Sequence, residues 1–305
     1  MVRMSTIVQH TTNLATAPQH RATAAVRGFV SGFWLSWQVE TNWADPWLIF
    51  VYILARPISG VLILWFMLVA VQGATGSLSR EGFAFVFLGN AFFTLVGAVP
   101  FGMTWAVISD REHYGMLKYM YLAPICLSSY VLGRGLANAL KTLAGLVLLL
   151  AGGVWLLSLP LSLVGDRLLL LSAAILLGLI QLLGLGLLLS GAVLNMTRHA
   201  YFLSEGVAGA LYLLIGALVP LSLLPPVLQP FALAIPMTYT LELIRRCSMQ
   251  NALAWSGHLA VLSDVDLLLL VAAGAAILWL TGSWVFRVGQ TRAWKNGRFE
   301  ETTGF

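Results

Sequence analysis

The sequence predicts an all-α membrane protein with six transmembrane helices, an amphipathic N-terminal helix at the membrane interface, and an external re-entrant hairpin between spans five and six. Composition is the first reason, because 59 % of the 305 residues are hydrophobic, only 10 % are charged, and the mean hydropathy is +0.87. A soluble domain is about 45–50 % apolar and about 25 % charged, so a soluble enzyme, a disordered chain and a disulfide scaffold are excluded. Length is the second reason, because one crossing takes about 20 apolar residues and the chain therefore holds roughly six.

Two segments precede the first span. Residues 1–20 are polar and rich in Thr, Gln and His, and are expected to form a mobile N-terminus. Residues 21–45 mix aromatic and charged side chains, and Phe29, Phe33 and Trp37 recur every four residues, which places them on one helical face. An amphipathic helix of this kind lies in the headgroup layer of a membrane. The alternative for this segment is a loosely ordered soluble lead-in.

Six apolar stretches form the predicted transmembrane domain over 46–286. Pro46 suits the first turn of the first helix, because that position needs no backbone N–H. The predicted spans cover about 46–71, 82–107, 127–157, 168–194, 201–224 and 264–286. The polar residues 287–305 form a predicted cytoplasmic tail.

The basic residues predict the orientation of the spans. When both termini are placed on one side, that side carries twelve Lys and Arg residues and the other carries four, with Arg56 inside the first span. Lys and Arg accumulate in cytoplasmic loops, so both termini are predicted to be cytoplasmic in a multi-pass protein of the cell inner (plasma) membrane. Cys126 and Cys247 then lie on opposite sides and cannot pair within one chain.

The long segment 225–263, between the fifth and sixth spans, predicts the external hairpin. It is rich in Pro at its start, and its stretch 228–237, LQPFALAIPM, is apolar but too short to cross a membrane. Such a stretch is typical of a re-entrant or interfacial helical hairpin, which is tolerated where it lines protein or water. A plain extracellular loop is the alternative.

Arg56 is the unusual residue of the first span. It follows Pro46 by ten residues, which places it roughly 15 Å into the helix, where an unpaired Arg costs several kcal/mol. Two interpretations stay open: a cation that lines a translocation path for an anionic head group, or a structural residue that snorkels beside a kink at Pro57. Glu205, one turn into the fifth span, is a candidate partner, although it also suits a hydrated interfacial position.

Asn90 and Thr94 are polar residues inside the second span. They lie four positions apart and share a helical face. Polar side chains in spans more often join helices, by about 0.6–2 kcal/mol each, but this pair is also a candidate for a translocation path with Arg56 and Glu205. The five histidines lack the spacing of metal ligands, so neither a metal, a cofactor bound by this chain nor a catalytic histidine is predicted.

The loop 108–124 is the most charged connector on the predicted cytoplasmic side. Its acidic–basic–acidic cluster at 110–112 offers ion-pair partners. Tyr114, Leu117 and Tyr121 follow at spacings of three and four residues, which would place them on one face of a short helix that fills a cleft in another protein. The alternative is an ordinary connector with aromatic anchors at the membrane interface.

The same region resembles the signature of type-2 ABC exporter permeases. In that family an acidic–basic–acidic cluster precedes a Gly and a Leu, then a Pro, and then a helix rich in small residues that carries a basic residue. The matching positions here are Asp110, Arg111, Glu112, Gly115, Leu117, Pro124, Gly133 and Arg134. The family usually has Glu after the Leu, whereas this chain has Lys118.

A second stretch, 235–246, resembles the external motif that precedes the last span in the same family. The matching positions are Pro236, Thr238, Glu242 and Arg245. The order of amphipathic lead-in, six spans and long external segment is similar as well, so the resemblance covers residues 25–290. By this resemblance the stretch would belong to the external gate.

The resemblance implies a permease subunit of an ATP-driven exporter. Two copies, or one copy and a paralogous permease, would form the path for an amphipathic or lipid-linked substrate among the membrane lipids. A separate nucleotide-binding ATPase subunit would bind ATP and Mg and dock on a coupling helix formed by the loop 108–124. The coupling residues would be Asp110, Arg111, Glu112, Tyr114, Gly115, Leu117 and Tyr121. Nucleic acid is not an expected partner.

The residues themselves also indicate that the ATPase is a separate chain. A P-loop needs Gly before its phosphate-binding Lys, but Leu, Leu and Trp precede Lys118, Lys141 and Lys295. The chain is therefore predicted not to be an enzyme. The alternatives are a secondary transporter or channel without an ATPase partner, which would need several buried ionisable groups, and a membrane-embedded enzyme, which would need acidic pairs or a Ser/His set within the spans.

Overall fold

The structure is a computed structural model that describes residues 18–41, 80–161, 167–196 and 199–298, with short stretches between 58 and 73. Apart from the helical stretches between 58 and 73, the described residues form nine α-helices and no strand, which confirms the all-α class. The helices are α1 (Pro18–Thr41), α2 (Arg80–Glu112), α3 (Leu117–Leu122), α4 (Leu127–Leu157), α5 (Leu168–Val193), α6 (Ala200–Leu214), α7 (Gln229–Ala234), α8 (Pro236–Ser248) and α9 (Asp264–Lys295). Short 3₁₀ turns cover Leu221–Leu223, Ala252–Trp255 and Gly257–Val261.

Four described helices, α2, α4, α5 and α9, are long and apolar enough to cross a membrane. They coincide with the predicted second, third, fourth and sixth spans, as expected of a multi-pass membrane protein. Helix α2 has 33 residues, about 50 Å of helix, and so exceeds the roughly 30 Å of a hydrocarbon core. Most of the predicted first span, including Arg56, lies outside the described residues.

The spans alternate in direction and define two ends of the bundle. The α3 end is the one where α2, α5 and α9 finish and where α4 and α6 begin. The α8 end is the opposite one, where Asn251, just after α8, donates a hydrogen bond to Glu81 at the start of α2. The charge-based prediction makes the α3 end cytoplasmic.

The helix in the predicted fifth span, 201–224, is shorter than expected. Helix α6 ends at Leu214 after 15 residues, or about 22 Å. The chain then turns at Gly216, whose φ of 74° lies in the left-handed region that Gly adopts without steric cost. Irregular backbone between packed helices needs hydrogen-bond partners within the protein, and Arg245 of α8 supplies them.

Two helices, α7 and α8, lie within the segment 225–263. They meet at the extended residue Ile235, and Pro236 takes the first position of α8. Helix α8 packs against α5 and α9 at two glycines, Gly178 and Gly274. A Cβ at Gly178 would crowd Thr240, and one at Gly274 would overlap Pro236, so both glycines are needed for this approach.

Glycines also bring helix backbones into direct contact elsewhere in the bundle. A Cβ at Gly282 of α9 would overlap the carbonyl oxygen of Gly184 in α5. In the same way, Gly32 of α1 packs on the carbonyl of Tyr130 in α4. Small residues at such interfaces are the usual means by which membrane helices associate closely.

Helix α1 covers the predicted amphipathic helix but begins earlier. Residues 18–20, which were assigned to the N-terminal segment 1–20, are helical, and residues 1–17 lie outside the described residues. One face of α1 packs on α4, and the other exposes Val26, Val30 and Trp34. Its place at the membrane interface stays a prediction, and residues 42–45 lie outside the described residues.

Candidate transport and coupling sites

The signature loop differs from the single helix expected over 108–124. Helix α2 continues to Glu112, the chain turns at Gly115 with a φ of 57°, and α3 is only six residues long. Tyr114 lies in the turn and is 55 % exposed, whereas Leu117 is 1 % exposed and belongs to the core. The prediction that these two residues share one docking face is therefore wrong. A left-handed residue ends an α-helix, so a continuous helix cannot pass through this turn.

Asp110 ties α2 to α4. Its side chain is 0 % exposed, it accepts a 2.7 Å hydrogen bond from the Tyr130 hydroxyl, and its Oδ1 lies 3.3 Å from Arg134 Nη2. The Arg134 guanidinium also lies 5.7 Å from the centre of the Tyr130 ring. A buried carboxylate needs such pairing and hydrogen bonding to offset its lost hydration. Asp110 therefore joins two helices and is not exposed at the surface.

Arg111 ties α2 to the end of α5. Its Nη1 donates to the carbonyls of Val193 and Met196 at 3.3 and 3.0 Å, and its Nη2 donates to Glu112 Oε1 at 2.8 Å. Carbonyls at a helix C-terminus lack partners within the helix and attract cations. Arg111 is buried, so it and Asp110 lock the end of α2 to α4 and α5. We call these two residues with Tyr130 and Arg134 the α2 clamp.

Two exposed tyrosines lie in and beside α3. Tyr119 of α3 is 64 % exposed, and Tyr114 and Gly115 are exposed in the preceding turn. The side chain of Tyr121 lies outside the described residues. Of the residues predicted for coupling, Tyr114 and Gly115 therefore offer surface that a docking partner could contact, whereas Asp110 and Arg111 are buried.

An aromatic cluster that was not predicted lies on α2 and α6 at the same end. Phe101 and Trp105 stack with centroids 6.2 Å apart, Tyr201 meets both rings edge-on, and His113 lies 5.9 Å from Trp105. Such rings are typical of the belt that anchors a protein at the membrane–water interface. The four-residue spacing of Phe101 and Trp105 indicates that the two rings share a helical face. Their partner Tyr201 of α6 could not be predicted in this way, because it is distant in sequence.

Asn90 and Thr94 lie where α2 meets α6. Asn90 Oδ1 accepts a 3.1 Å hydrogen bond from the Tyr212 hydroxyl, and Thr94 donates to the Asn90 carbonyl at 3.0 Å. The rings of Phe93 and Tyr212 lie 4.1 Å apart beside this pair. Both polar residues are half-buried, and a Cβ at Gly60 would lie 3.8 Å from Asn90 Nδ2, so part of the predicted first span borders them.

Glu205 lies on the exposed face of α6. Phe202, Gly206, Gly209 and Leu213 share this face at helical spacing. Glu205 forms no ion pair with any residue that the structure describes, and its predicted partner Arg56 lies outside them. The face therefore combines one carboxylate with small and apolar residues. Helix α6 packs along α2, where Ser204 donates a hydrogen bond to Thr104 and Tyr212 donates one to Asn90.

Arg245 donates hydrogen bonds to the irregular residues that follow α6. Its Nη2 donates to the carbonyls of Gly216 and Ala217 at 2.9 and 3.1 Å and to the carbonyl of Phe85 in α2 at 3.1 Å. The guanidinium carbon lies 3.4 Å from the centre of the Phe85 ring, and Arg245 is only 4 % exposed. One buried cation thus satisfies carbonyls from two segments and fixes α8 against both.

The neighbouring Arg246 organises the residues after α8. Its Nε donates to Glu242 Oε1 at 3.1 Å, its Nη2 to the carbonyl of Leu259 at 2.7 Å, and its Nη1 to Asp264 Oδ1 at 3.2 Å. The Ser256 hydroxyl donates to the same oxygen of Glu242. Sequence reasoning singled out Glu242 but not Arg246, because the partners that give Arg246 its role lie 13 to 18 residues further along the chain.

Hydroxyl groups fix the first turns of α8 within the bundle. Thr238 donates to the carbonyl of Ala232 at 2.7 Å and so holds the corner between α7 and α8. Thr240 donates to Gln181 Oε1 at 2.9 Å, and Gln181 Nε2 donates to the Val271 carbonyl of α9 at 2.9 Å. Gln181 lies at the centre of α5, so the start of α8 reaches the middle level of that span.

Within the described part of the chain, no group of three or more His, Cys, Asp or Glu side chains could hold a metal ion. Among the described residues, the buried charges lie in two groups: Asp110, Arg111 and Arg134 in the α2 clamp, and Glu242, Arg245 and Arg246 on α8.

A bundle with four helices of spanning length among its described residues defines a multi-pass helical membrane protein. The family model described as ABC-2 type transporter matches residues 32–247, which is more than half of the chain. The chain belongs to the ABC-2 type transporter family, and is the membrane subunit of an ABC transporter, a class that works with an ABC ATPase subunit. A comparison with curated proteins finds no match.

Proposed function

We propose that this chain is the permease of an ATP-driven exporter in the cell inner (plasma) membrane. Two copies, or one copy with a related permease, form the path for an amphipathic or lipid-linked substrate, and a separate ATPase subunit binds ATP and Mg. The observation that carries the proposal is the family match, which runs from α1 to α8. The chain has no Gly–Lys pair for a P-loop, so the energy comes from the partner.

Coupling is proposed to occur at the α3 end. The partner contacts the exposed tyrosines, Tyr114 and Tyr119, and the turn at Gly115. Asp110 and Arg111 act beneath this surface, because they join α2 to α4 and α5 and make these helices move with α3. The buried Leu117 fixes α3 to the core, and this supports a rigid coupling element.

The translocation path is proposed to follow the face shared by α2 and α6. A carboxylate exposed on an apolar helix is costly in lipid and is retained where water or a partner solvates it. Glu205 fits this description, and Asn90 and Thr94 add polar groups along the same face. A second copy that covers this face would enclose the path, with Arg56 of the first span as a further polar residue.

Helices α7 and α8 are proposed to form a re-entrant hairpin that acts as the external gate. The bond between Thr240 and Gln181 supports this depth, because Gln181 lies midway along a span. Pro236 and Thr238 set the corner of the hairpin, and Glu242 and Arg245 hold it to the residues around it. With this gate outside, both termini are cytoplasmic, as the charge distribution predicts.

The decisive experiment is purification of the full-length chain with the ATPase that accompanies it. The expected result is a complex with a P-loop protein which, in proteoliposomes, exports a fluorescent phospholipid or an amphipathic dye only when ATP is present. A complex whose ATPase lacks its P-loop Lys is the matched control and should be inactive. Transport driven by an ion gradient alone, with no P-loop protein bound, would instead establish a secondary transporter or channel.

A further inference from the structure

An apolar crevice of about 150 Å³ opens between α4 and α5. Its floor is α2, where Ala91 and Leu95 are buried, and one edge is Ile244 of α8. Its walls are half-buried leucines: Leu146 on α4, and Leu171 and Leu179 on α5. Because the floor is buried and the walls are partly exposed, the opening faces sideways, out of the bundle between the two helices.

Water does not fill such a space. An apolar cavity of about this size, lined by Leu, Ile and Phe, stays dry and takes up apolar molecules instead. An empty space also forfeits dispersion contacts along its whole lining. Since α4 and α5 are of spanning length, the medium next to the opening is the hydrocarbon of the bilayer. A crevice of this volume is too narrow for a helix but suits part of one fatty-acyl chain.

A cation lies near the mouth of the crevice. Arg167 precedes α5 and is exposed, and it stands four residues before Leu171, so the two share a helical face. One of its nitrogens donates to the carbonyl of Arg246 at 2.6 Å, which fixes the guanidinium at the α8 end of the bundle. Leu171 is only about one turn from the start of α5, at the level where lipid headgroups begin.

We infer that this crevice binds one membrane phospholipid, with a fatty-acyl chain between α4 and α5 and the phosphate beside Arg167. The apolar walls select the chain, and the guanidinium selects the anionic headgroup. The site is separate from the α2–α6 face proposed for transport, and it requires only that the helices lie in a bilayer.

The test is photo-crosslinking of the full-length chain in vesicles of phosphatidylglycerol doped with a phosphatidylglycerol that carries a diazirine on one fatty-acyl chain. Adducts are located by mass spectrometry. Two variants fill the crevice from opposite walls, Leu146→Trp on α4 and Leu179→Trp on α5. Their matched controls are Leu148→Trp and Leu176→Trp, which make the same change at exposed positions of the same helices that do not line the crevice.

The expected result is that adducts concentrate on crevice residues and fall about tenfold in both filling variants, equivalent to about 1.4 kcal/mol of binding, while the controls label as the unmodified chain does. In Arg167→Gln, labelling by the phospholipid should fall, but labelling by a diacylglycerol with the same photoreactive chain should persist. The melting temperature of each variant shows whether it is folded. One folded filling variant, from either helix, is enough for the comparison.

Two results would overturn the inference. One is equal labelling of the crevice and of outward-facing residues such as Leu176, which would mean that only bulk lipid contacts these helices. The other is unchanged labelling in a folded filling variant, which would mean that the crevice is empty. If labelling by the phospholipid and by the diacylglycerol falls equally in Arg167→Gln, Arg167 does not bind the phosphate.

Discussion

Replacing Asp110 with Asn should destabilise the bundle at the α2 clamp. The substitution keeps the shape of the side chain and an acceptor for the Tyr130 hydroxyl, but it leaves the buried guanidinium of Arg134 without its counter-charge. Breaking a buried ion pair by removing one partner costs about 3–5 kcal/mol. Because one hydrogen bond is kept, we expect the lower value, which by the scaling for domains of 150–250 residues lowers the melting temperature by about 6–12 °C.

The assay is thermal unfolding of the full-length chain in detergent, followed by fluorescence-detected gel filtration. Glu205→Gln is the matched control, because it neutralises an exposed acid that has no ion pair among the described residues. Such surface substitutions usually change stability by about 0.5 kcal/mol or less. The double variant with Arg134→Gln should recover part of the loss, since coupled pairs deviate from additivity by about 0.5–3 kcal/mol.

Two results would refute this reasoning. If Asp110→Asn melts with the unmodified chain, the carboxylate is not paired in the membrane as it is in the structure. If the single losses of Asp110→Asn and Arg134→Gln simply add in the double variant, the two side chains do not interact. In either case the signature residues would have to act on the partner directly.

Three further substitutions and one labelling experiment test the other parts of the molecule. Arg246→Met should release the residues after α8, because it removes hydrogen bonds to the carbonyls of Leu259 and Leu262 and to two carboxylates. Amide hydrogen exchange of residues 250–263 should therefore rise. Tyr119→Ala should weaken binding of the ATPase, since the side chain is exposed at the proposed coupling surface, and a pull-down measures this. Glu205→Gln should lower transport in proteoliposomes without loss of complex, because the carboxylate faces the proposed path. In a chain that lacks its native cysteines, Val261→Cys should react with an impermeant maleimide on intact cells, and Gly297→Cys should react only after lysis.

Each of these has an outcome that contradicts it. Unchanged amide hydrogen exchange in Arg246→Met would show that the 3₁₀ turns are stable without the hydrogen bonds from Arg246. Loss of ATPase binding in Phe202→Ala, the matched exposed aromatic on α6, would show that Tyr119 has no special role. Full transport by Glu205→Gln would remove that residue from the path. The reverse labelling pattern would invert the topology. Native Cys247 cannot serve in this assay because it is 2 % exposed.

The sequence predicted the long spans but not the partners of its charges. Hydropathy alone located α2, α4, α5 and α9, since each is a continuous apolar stretch of sufficient length. It could not locate the end of α6, because the residues after Leu214 are as apolar as those before. What ends that helix is Gly216 and a cation from α8, and a pairing of that kind leaves no trace in hydropathy.

The charged loop shows the same limit more clearly. A run of charges between two spans indicates exposure to water, and on that basis Asp110 and Arg111 were expected to face a partner. Both are buried, because Arg134 and the carbonyls at the end of α5 are close by in the fold. The position of Gly115 in the sequence was the one local sign that the helix would end before Leu117.

Helix α2 links the two groups of buried charges. Near its start the carbonyl of Phe85 accepts a hydrogen bond from Arg245, and near its end Asp110 pairs with Arg134. A displacement at the α3 end therefore reaches the α8 end unless α2 bends. Bending is easiest at Pro100, because Pro lacks the N–H of the helix ladder, and the Thr104 hydroxyl already bonds to the Pro100 carbonyl at 3.2 Å. Whether motion at the coupling surface arrives at the gate as translation or as bending thus depends on one turn of one helix.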